Sequence, residues 1–277
     1  LVKNYNIVGQ DLDINSSDRY NLSILVGMDR FFYVVQSGHQ VIAMRTHYFP
    51  SHNYLQLNTV LSGTVQFDQL LKLTYRKTRI GLLSSTTTLI PADLYDASKM
   101  RFYLEQNAML KKEHIVLADE LESVGAHQVY AFDERVFDVL KEHFPTADFC
   151  HVLSGLISAH RRYGETENIY VNLSSQYLQI IVFNREKLLF SNTFIHRAES
   201  DVLYFIMLVI NQLNLDAEKN KVIFSGEIDE HSTTYSTLQK YIQHIEFVHT
   251  PILYKYNHAT PPAYHHFFDL MCISRLG

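Results

Sequence analysis

The strongest constraint in this sequence is a pattern that occurs twice. Residues 23–49, SILVGMDRFFYVVQSGHQVIAMRTHYF, are three apolar runs broken at Gly27–Asp29 and at Ser37–Gly38–His39. Residues 170–195, YVNLSSQYLQIIVFNREKLLFSNTFI, break in the same way at Asn172–Gln176 and Asn184–Lys187. Runs rich in Val, Ile, Phe and Tyr, bounded by Gly, Asn, Asp and Ser, read as strands joined by tight turns. A shift of 147 positions lays Phe31 on Leu178, Val34 on Ile181, Val41 on Leu188 and Thr46 on Thr193. Each half is therefore expected to open with a three-stranded meander of the same turn spacing. Before the first meander, a short strand is expected around Tyr5–Val8.

A helix is expected after each meander. In the first half it falls around Gln66–Arg76, where Leu70, Leu71 and Tyr75 share one apolar face. In the second it spans Glu199–Leu213, and the apolar stretch 202–215 reads as a core helix. A second correspondence follows. Residues 127–152 read strand, helix, strand, with Asp133 as N-cap, Val136, Phe137, Val139 and Leu140 on or near one face, and Pro145 as terminator. Residues 220–250 repeat the order, with a helix over Thr234–Gln243. Strand–helix–strand units of this length favour parallel pairing by right-handed crossovers. The expected class is α/β, two mixed sheets flanked by helices, with halves at 1–162 and 163–277.

The bulk numbers remove several functions. A net charge of −5 over 277 residues supplies no basic surface for nucleic acid. No apolar run reaches the ~20 residues of a membrane-spanning helix, and the expected compartment is the cytoplasm. Two cysteines cannot build a disulfide framework, and Cys150 reads as a small core residue. Glycine is scarce, ten residues in all. Phosphate-cradling loops need glycine for close backbone approach, and neither GxGxxG nor GxxxxGK[ST] occurs.

The run VYAFDERVFDVLKEHFPTADFCHVLSGLIS (129–158) resembles the strand–helix–strand–helix segment of actin-like pilus-assembly and cell-division proteins. VIFSGEI (222–228) is similar to their adenosine-contacting strand and turn. LIPADLYD (89–96), ADEL and AHQVYAF within 118–132, FPTADFCHVLSGLI (144–157) and AYHHFFDLM (263–271) are similar to an uncharacterised Bacteroidetes family of actin-like fold, a domain of unknown function. The resemblance spans nearly the whole chain. It implies a duplicated actin-like ATPase (ribonuclease H-like) fold with a nucleotide cleft between the halves.

The departures from that pattern are informative. Such ATPases carry an Asp-x-Gly in the first turn of each half, the acid for metal and its waters. Here the first turn has Leu25, Val26 and Gly27, and the second has Asn172, Leu173 and Ser174. In the adenosine turn Gly226 is followed by Glu227, a negative charge where phosphate would approach. The resemblance thus implies a non-catalytic pseudo-ATPase, a scaffold or interaction module for an unidentified protein partner, with no catalytic residue, no metal ligand and no cofactor. The alternative is an ATP- and magnesium-binding ATPase or kinase-like phosphotransferase whose acid is Asp29, Glu227 or Asp229. If nucleotide binding is retained, the residues for it are Gly27, Asp29, Asn172, Ser174, Ser175 and Gly226.

Other clusters read as structure. Fifteen histidines are many, but adjacent pairs such as Cys150–His151 and His265–His266 point apart on regular elements and form no clamp by themselves. The run Ser84–Thr88 leading into Pro91 reads as a strand end. Tyr264, Phe267, Phe268 and Met271 recur at helical spacing after Pro261–Pro262, the pattern of a helix docked on the core.

Overall fold

The computed structural model describes residues 4–49, 54–164, 168–249, 254–256 and 262–274. The first half opens with β1 (Asn6–Val8), then β2 (Asn21–Gly27), β3 (Arg30–Ser37) and β4 (Gln40–Tyr48). Gly38, at φ +57°, opens the two-residue turn between β3 and β4, a position that favours glycine because a Cβ crowds the backbone there. The register of this meander is broken once, between Val35 and Gln36.

Next come α1 (Tyr54–Phe67), β5 (Lys77–Leu82), β6 (Thr87–Pro91), α2 (Met100–Glu105), β7 (His114–Leu121), β8 (Ala126–Asp133), α3 (Glu134–His143), β9 (Asp148–His151) and α4 (Val152–Tyr163). The first helix therefore ends ahead of most of the expected 66–76 segment. The cause is Asp68, whose carboxylate takes the Leu70 N–H at 3.0 Å and turns the chain into a single 3-10 turn over Leu70–Lys72. Leu70 and Leu71 are buried as expected, but from that turn.

The strand–helix–strand unit at 127–152 also differs from expectation. Its helix is capped by Asp133, which accepts from the N–H groups of Arg135 and Val136, as such a residue should. Its two strands, however, do not pair. β8 is the centre of a small antiparallel sheet ordered β6–β8–β7, with α2 packed on it through Leu104, Val129 and Ala131. β9 instead pairs parallel to β5, which pairs parallel to β2. Residues 83–133 thus form an added unit between β5 and the helix that leads back to β9. Hydroxyl-rich Thr87 and Thr88 supply its edge strand, which stops at Pro91.

The second half has β10 (Asn168–Leu173), β11 (Tyr177–Asn184), β12 (Lys187–Ile195), α5 (Glu199–Gln212), β13 (Lys221–Gly226), α6 (Thr233–Leu238) and β14 (Ile245–Phe247). β11 and β12 fall on β3 and β4 at the same shift of 147, to the residue at both ends. Their register break, between Val182 and Phe183, falls on the first one too. Arg185, at φ +54°, stands where Gly38 stands in the first meander. The sheet is ordered β12–β11–β10–β13–β14, with the last two pairs parallel. α6 is shorter than the expected 234–243.

The chain then returns to the first half. β15 (Lys255–Tyr256) pairs parallel to β4, and α7 (Phe268–Ile273) packs on β2, β3, β5 and α4. Phe267, Phe268, Leu270, Met271, Cys272 and Ile273 are all buried in the core that also holds Leu25, Leu153 and Ile157. The stripe at 264–271 therefore docks inward. Pro261 lies outside the described residues. Cys150 and Cys272 are both buried, and neither is part of a disulfide among the described residues. Among the described residues, no helix is long and apolar enough to cross a membrane.

Two histidines, His151 and His160, are buried in this core. His160, at the end of α4, stacks on Tyr170 at 3.8 Å and leans on Phe268. Burial pushes its pKa down to about 3, and that of His151 down to about 4. Both rings stay neutral in the folded chain while their unfolded counterparts gain a proton near pH ~6.5. Their contribution is complete above that pH and is lost as pH falls toward the folded values. The variant His160→Phe, which keeps the stack, is expected to blunt this loss. Between pH 7.5 and pH 5 it should gain about 2 kcal/mol on the wild type, measured by denaturant unfolding.

Candidate functional site

The three turns singled out by the sequence converge between the halves, and what joins them is an arginine. Arg30 begins β3, one residue after the turn acid Asp29, and is 1% exposed. Its Nε donates to Asp29 Oδ1 at 2.9 Å and its Nη2 to Asp29 Oδ2 at 3.0 Å, a bidentate pair. The same Nη2 donates to Ser175 Oγ at 3.0 Å, from the turn between β10 and β11. Nη1 donates to Glu227 Oε1 at 2.6 Å, from the turn after β13. Ser175 also donates its hydroxyl to Asp29 Oδ2. Four of the five N–H donors of a guanidinium are thereby taken up by three turns from the two halves.

Aromatic rings complete the enclosure. The guanidinium carbon lies 5.2 Å from the Phe32 ring centroid and 5.5 Å from that of Tyr48, within cation–π range. Beneath lies Asp269 of α7, whose Oδ1 accepts from the Leu270 N–H at 2.8 Å. Burial raises the Asp269 carboxyl above its usual range, and the nearby Arg30 charge offsets that only in part. Burial works on Asp29 in the same direction, but there the Arg30 hydrogen bonds and charge win and hold the carboxyl low. Burial likewise opposes the Arg30 charge, and Glu227 with Asp29 more than restores it.

The six candidate residues take different places. Asp29 and Ser175 belong to the arginine clasp. Gly27 ends β2, where an added Cβ would sit 3.2 Å from Arg30 Cγ and 3.3 Å from Leu83. Asn172 is buried, donating to Gln179 Oε1 at 3.1 Å, accepting from Ser225 Oγ at 2.8 Å, and lying 3.5 Å from Asp269. Ser174 closes its own turn through Tyr177, with its carbonyl bonded to His196. Gly226 is at φ +88°, and a Cβ there would lie 2.0 Å from the Leu173 carbonyl oxygen; only glycine fits. Leu25 is fully buried in the core.

Arg30 was not among the sequence candidates. Its signal was present, a lone cation opening a run of apolar strand residues next to the turn acid. A strand residue in that position is enclosed, and an enclosed cation requires carboxylates. Chemically the clasp neutralises charge and holds geometry. Asp29 and Glu227, two of the three acids of the enzymatic alternative, are already occupied by the guanidinium. Away from it, a groove of about 520 Å³ runs between residues 85–89 and residues 188–193 of β12, so the hydroxyl run lines an opening as well as a strand end.

Replacing Arg30 by Met would leave Asp29 buried without its counter-charge. Unfolding stability is expected to fall by about 3–5 kcal/mol. The double variant Asp29→Asn with Arg30→Met should lose less than the sum of the two single changes in a denaturant cycle. Additive losses would show that the two groups do not act together.

Comparisons with known proteins agree with this architecture. A protein of unknown function from Bacteroides thetaiotaomicron VPI-5482, with an actin-like ATPase fold, superposes with a TM-score of 0.81 at 20% identity, over 96% of this chain and 99% of that one. The PilM–PilN type IV pilus biogenesis complex gives 0.55 at 12% identity, over 92% and 98%. The ethanolamine utilization protein EutJ from Carboxydothermus hydrogenoformans gives 0.52 at 10%, over 98% and 93%. At these identities the likeness establishes the fold, which is that of the actin-like ATPases. No curated protein matches the chain. The model of the family described as "Protein of unknown function (DUF3822)" matches residues 9–245, and the chain belongs to that family.

Proposed function

We propose that this protein is a pseudo-ATPase, an actin-like frame that serves in the cytoplasm as a scaffold or interaction module and needs no nucleotide. The observation that carries this is the Arg30 clasp. An actin-like ATPase holds its metal and phosphates between acidic and glycine-bearing turns, and here those turns hold each other through a buried guanidinium. Phosphoryl transfer needs a metal ion and positioned oxygens at one place. Leu25 offers no ligand, and Asp29 and Glu227 are committed to a cation of the chain itself. Binding of another protein is the role that remains for a folded frame of this kind, and the PilM structure, solved as a complex with PilN, is an instance of the fold engaging a protein.

Calorimetry with ATP and ADP, each with magnesium, tests the proposal on the unmodified chain. The expected outcome is no saturable heat at millimolar nucleotide. Saturable binding in the micromolar range would overturn it and return Asp29 and Glu227 to the role of metal-facing acids. Gly226 is a poor position for a variant that probes the cleft, because any side chain there collides with Leu173 and disturbs the turn itself. Ser175→Ala is better, since it removes a single hydroxyl from the cleft.

A further inference from the structure

We propose that Asp229, His265 and His266 form a binding site for a divalent transition-metal ion of the zinc type. The three residues come from separate parts of the chain. Asp229 follows the turn after β13, and the two histidines lie in the irregular turn that leads into α7. One ligand atom from each lies within 4.8 Å of the other two.

Adjacent histidines on a strand or a helix diverge, but residues 264–267 are neither. The two rings sit 4.5 Å apart between centroids, at 77° to each other. His266 Nε2 and Asp229 Oδ1 are 3.0 Å apart, close to the ~3.3 Å edge of a tetrahedron with metal–ligand bonds of about 2.0 Å.

His265 already has the support that ligating histidines carry. Its Nε2 faces the Ile228 carbonyl at 2.9 Å, and its ring leans on Phe247 with centroids 4.4 Å apart. A backbone carbonyl on one ring nitrogen fixes the tautomer and leaves the other, here Nδ1, as the nitrogen that would serve as ligand. Asp229 is largely exposed, its side chain 64% accessible, so it can reorient at little cost. Two imidazoles and one carboxylate suit zinc, cobalt or nickel. Magnesium and calcium ask for an all-oxygen shell. Three protein ligands leave a position open to water or to a donor from a partner. The site lies two residues past Glu227 and does not depend on the arginine clasp.

The test is calorimetry of Zn2+ binding to untagged protein, with visible absorption of the Co2+ complex as a second readout. The expected result is saturable one-to-one binding. Asp229→Asn and His266→Ala should each weaken it at least about tenfold and reduce the Co2+ bands. His231→Ala, an exposed histidine two residues from Asp229, should leave both readouts unchanged. Circular dichroism would establish that each variant is folded. Absence of saturable binding, survival of tight binding in both ligand variants, or equal loss in His231→Ala would each overturn the assignment.

Discussion

A guanidinium withdrawn from water has to be repaid in charge, and Arg30 organises the centre of this protein on that account. Taking one ion out of water costs several kcal/mol even after relaxation. A unit charge at about 4 Å returns roughly 4 kcal/mol at the effective dielectric of a partly buried site. One carboxylate therefore only balances the cost, and a second, from a different turn, is what makes the position favourable. Asp29 comes with Arg30 from the same hairpin, whereas Glu227 has to be brought in by β13. Arg30 thus links the two sheets directly, through Glu227 and through the Ser175 hydroxyl.

The frame that delivers these turns is the twice-used meander. β3 with β4, and β11 with β12, share bounds, register and the position of their one irregularity. A one-residue slip would turn every inward side chain outward, and the strands that flank the two tips also pair in the same register at that shift, Leu25 with Phe32 and Asn172 with Gln179. What distinguishes the halves lies at the tips. The first ends in Gly27–Met28–Asp29–Arg30, the second in Ser174–Ser175–Gln176, and cation and acceptors meet across the gap. The strands carry the fold, and the tips carry its chemistry.

The meanders were legible because alternation and turn residues are local signals, and the Asp133 cap was legible for the same reason. α1 was misplaced because Leu70, Leu71 and Tyr75 have helical spacing but Asp68 stops the helix with its own side chain, a competition that periodicity does not register. β8 was misassigned because an antiparallel strand in a small added sheet and a parallel strand in a main sheet share the same composition. Leu25 and Glu227 were recognised as departures from the ATPase pattern. Their consequence was not visible, since it required Arg30, whose partners are 145 and 197 residues away in sequence.

α7 makes the clasp hard to open. This helix comes from the C-terminal end of the chain yet is embedded in the first half, where the Ile273 carbonyl accepts from Arg79 Nη1 at 3.1 Å and Met271 contacts Gln36. From the same turn of helix, Asp269 reaches Asn172 of the second half, beneath Arg30. A nucleotide entering between the halves would have to part Arg30 from Glu227 and expose Asp269, at a point where α7 already bridges both sheets. Separating buried opposite charges leaves each uncompensated, which costs more than the pair contributes while intact. A nucleotide would have to supply that energy before it made a contact of its own. In the proposed reading, the charges that the turns would otherwise offer to a metal are the ones that hold the turns together.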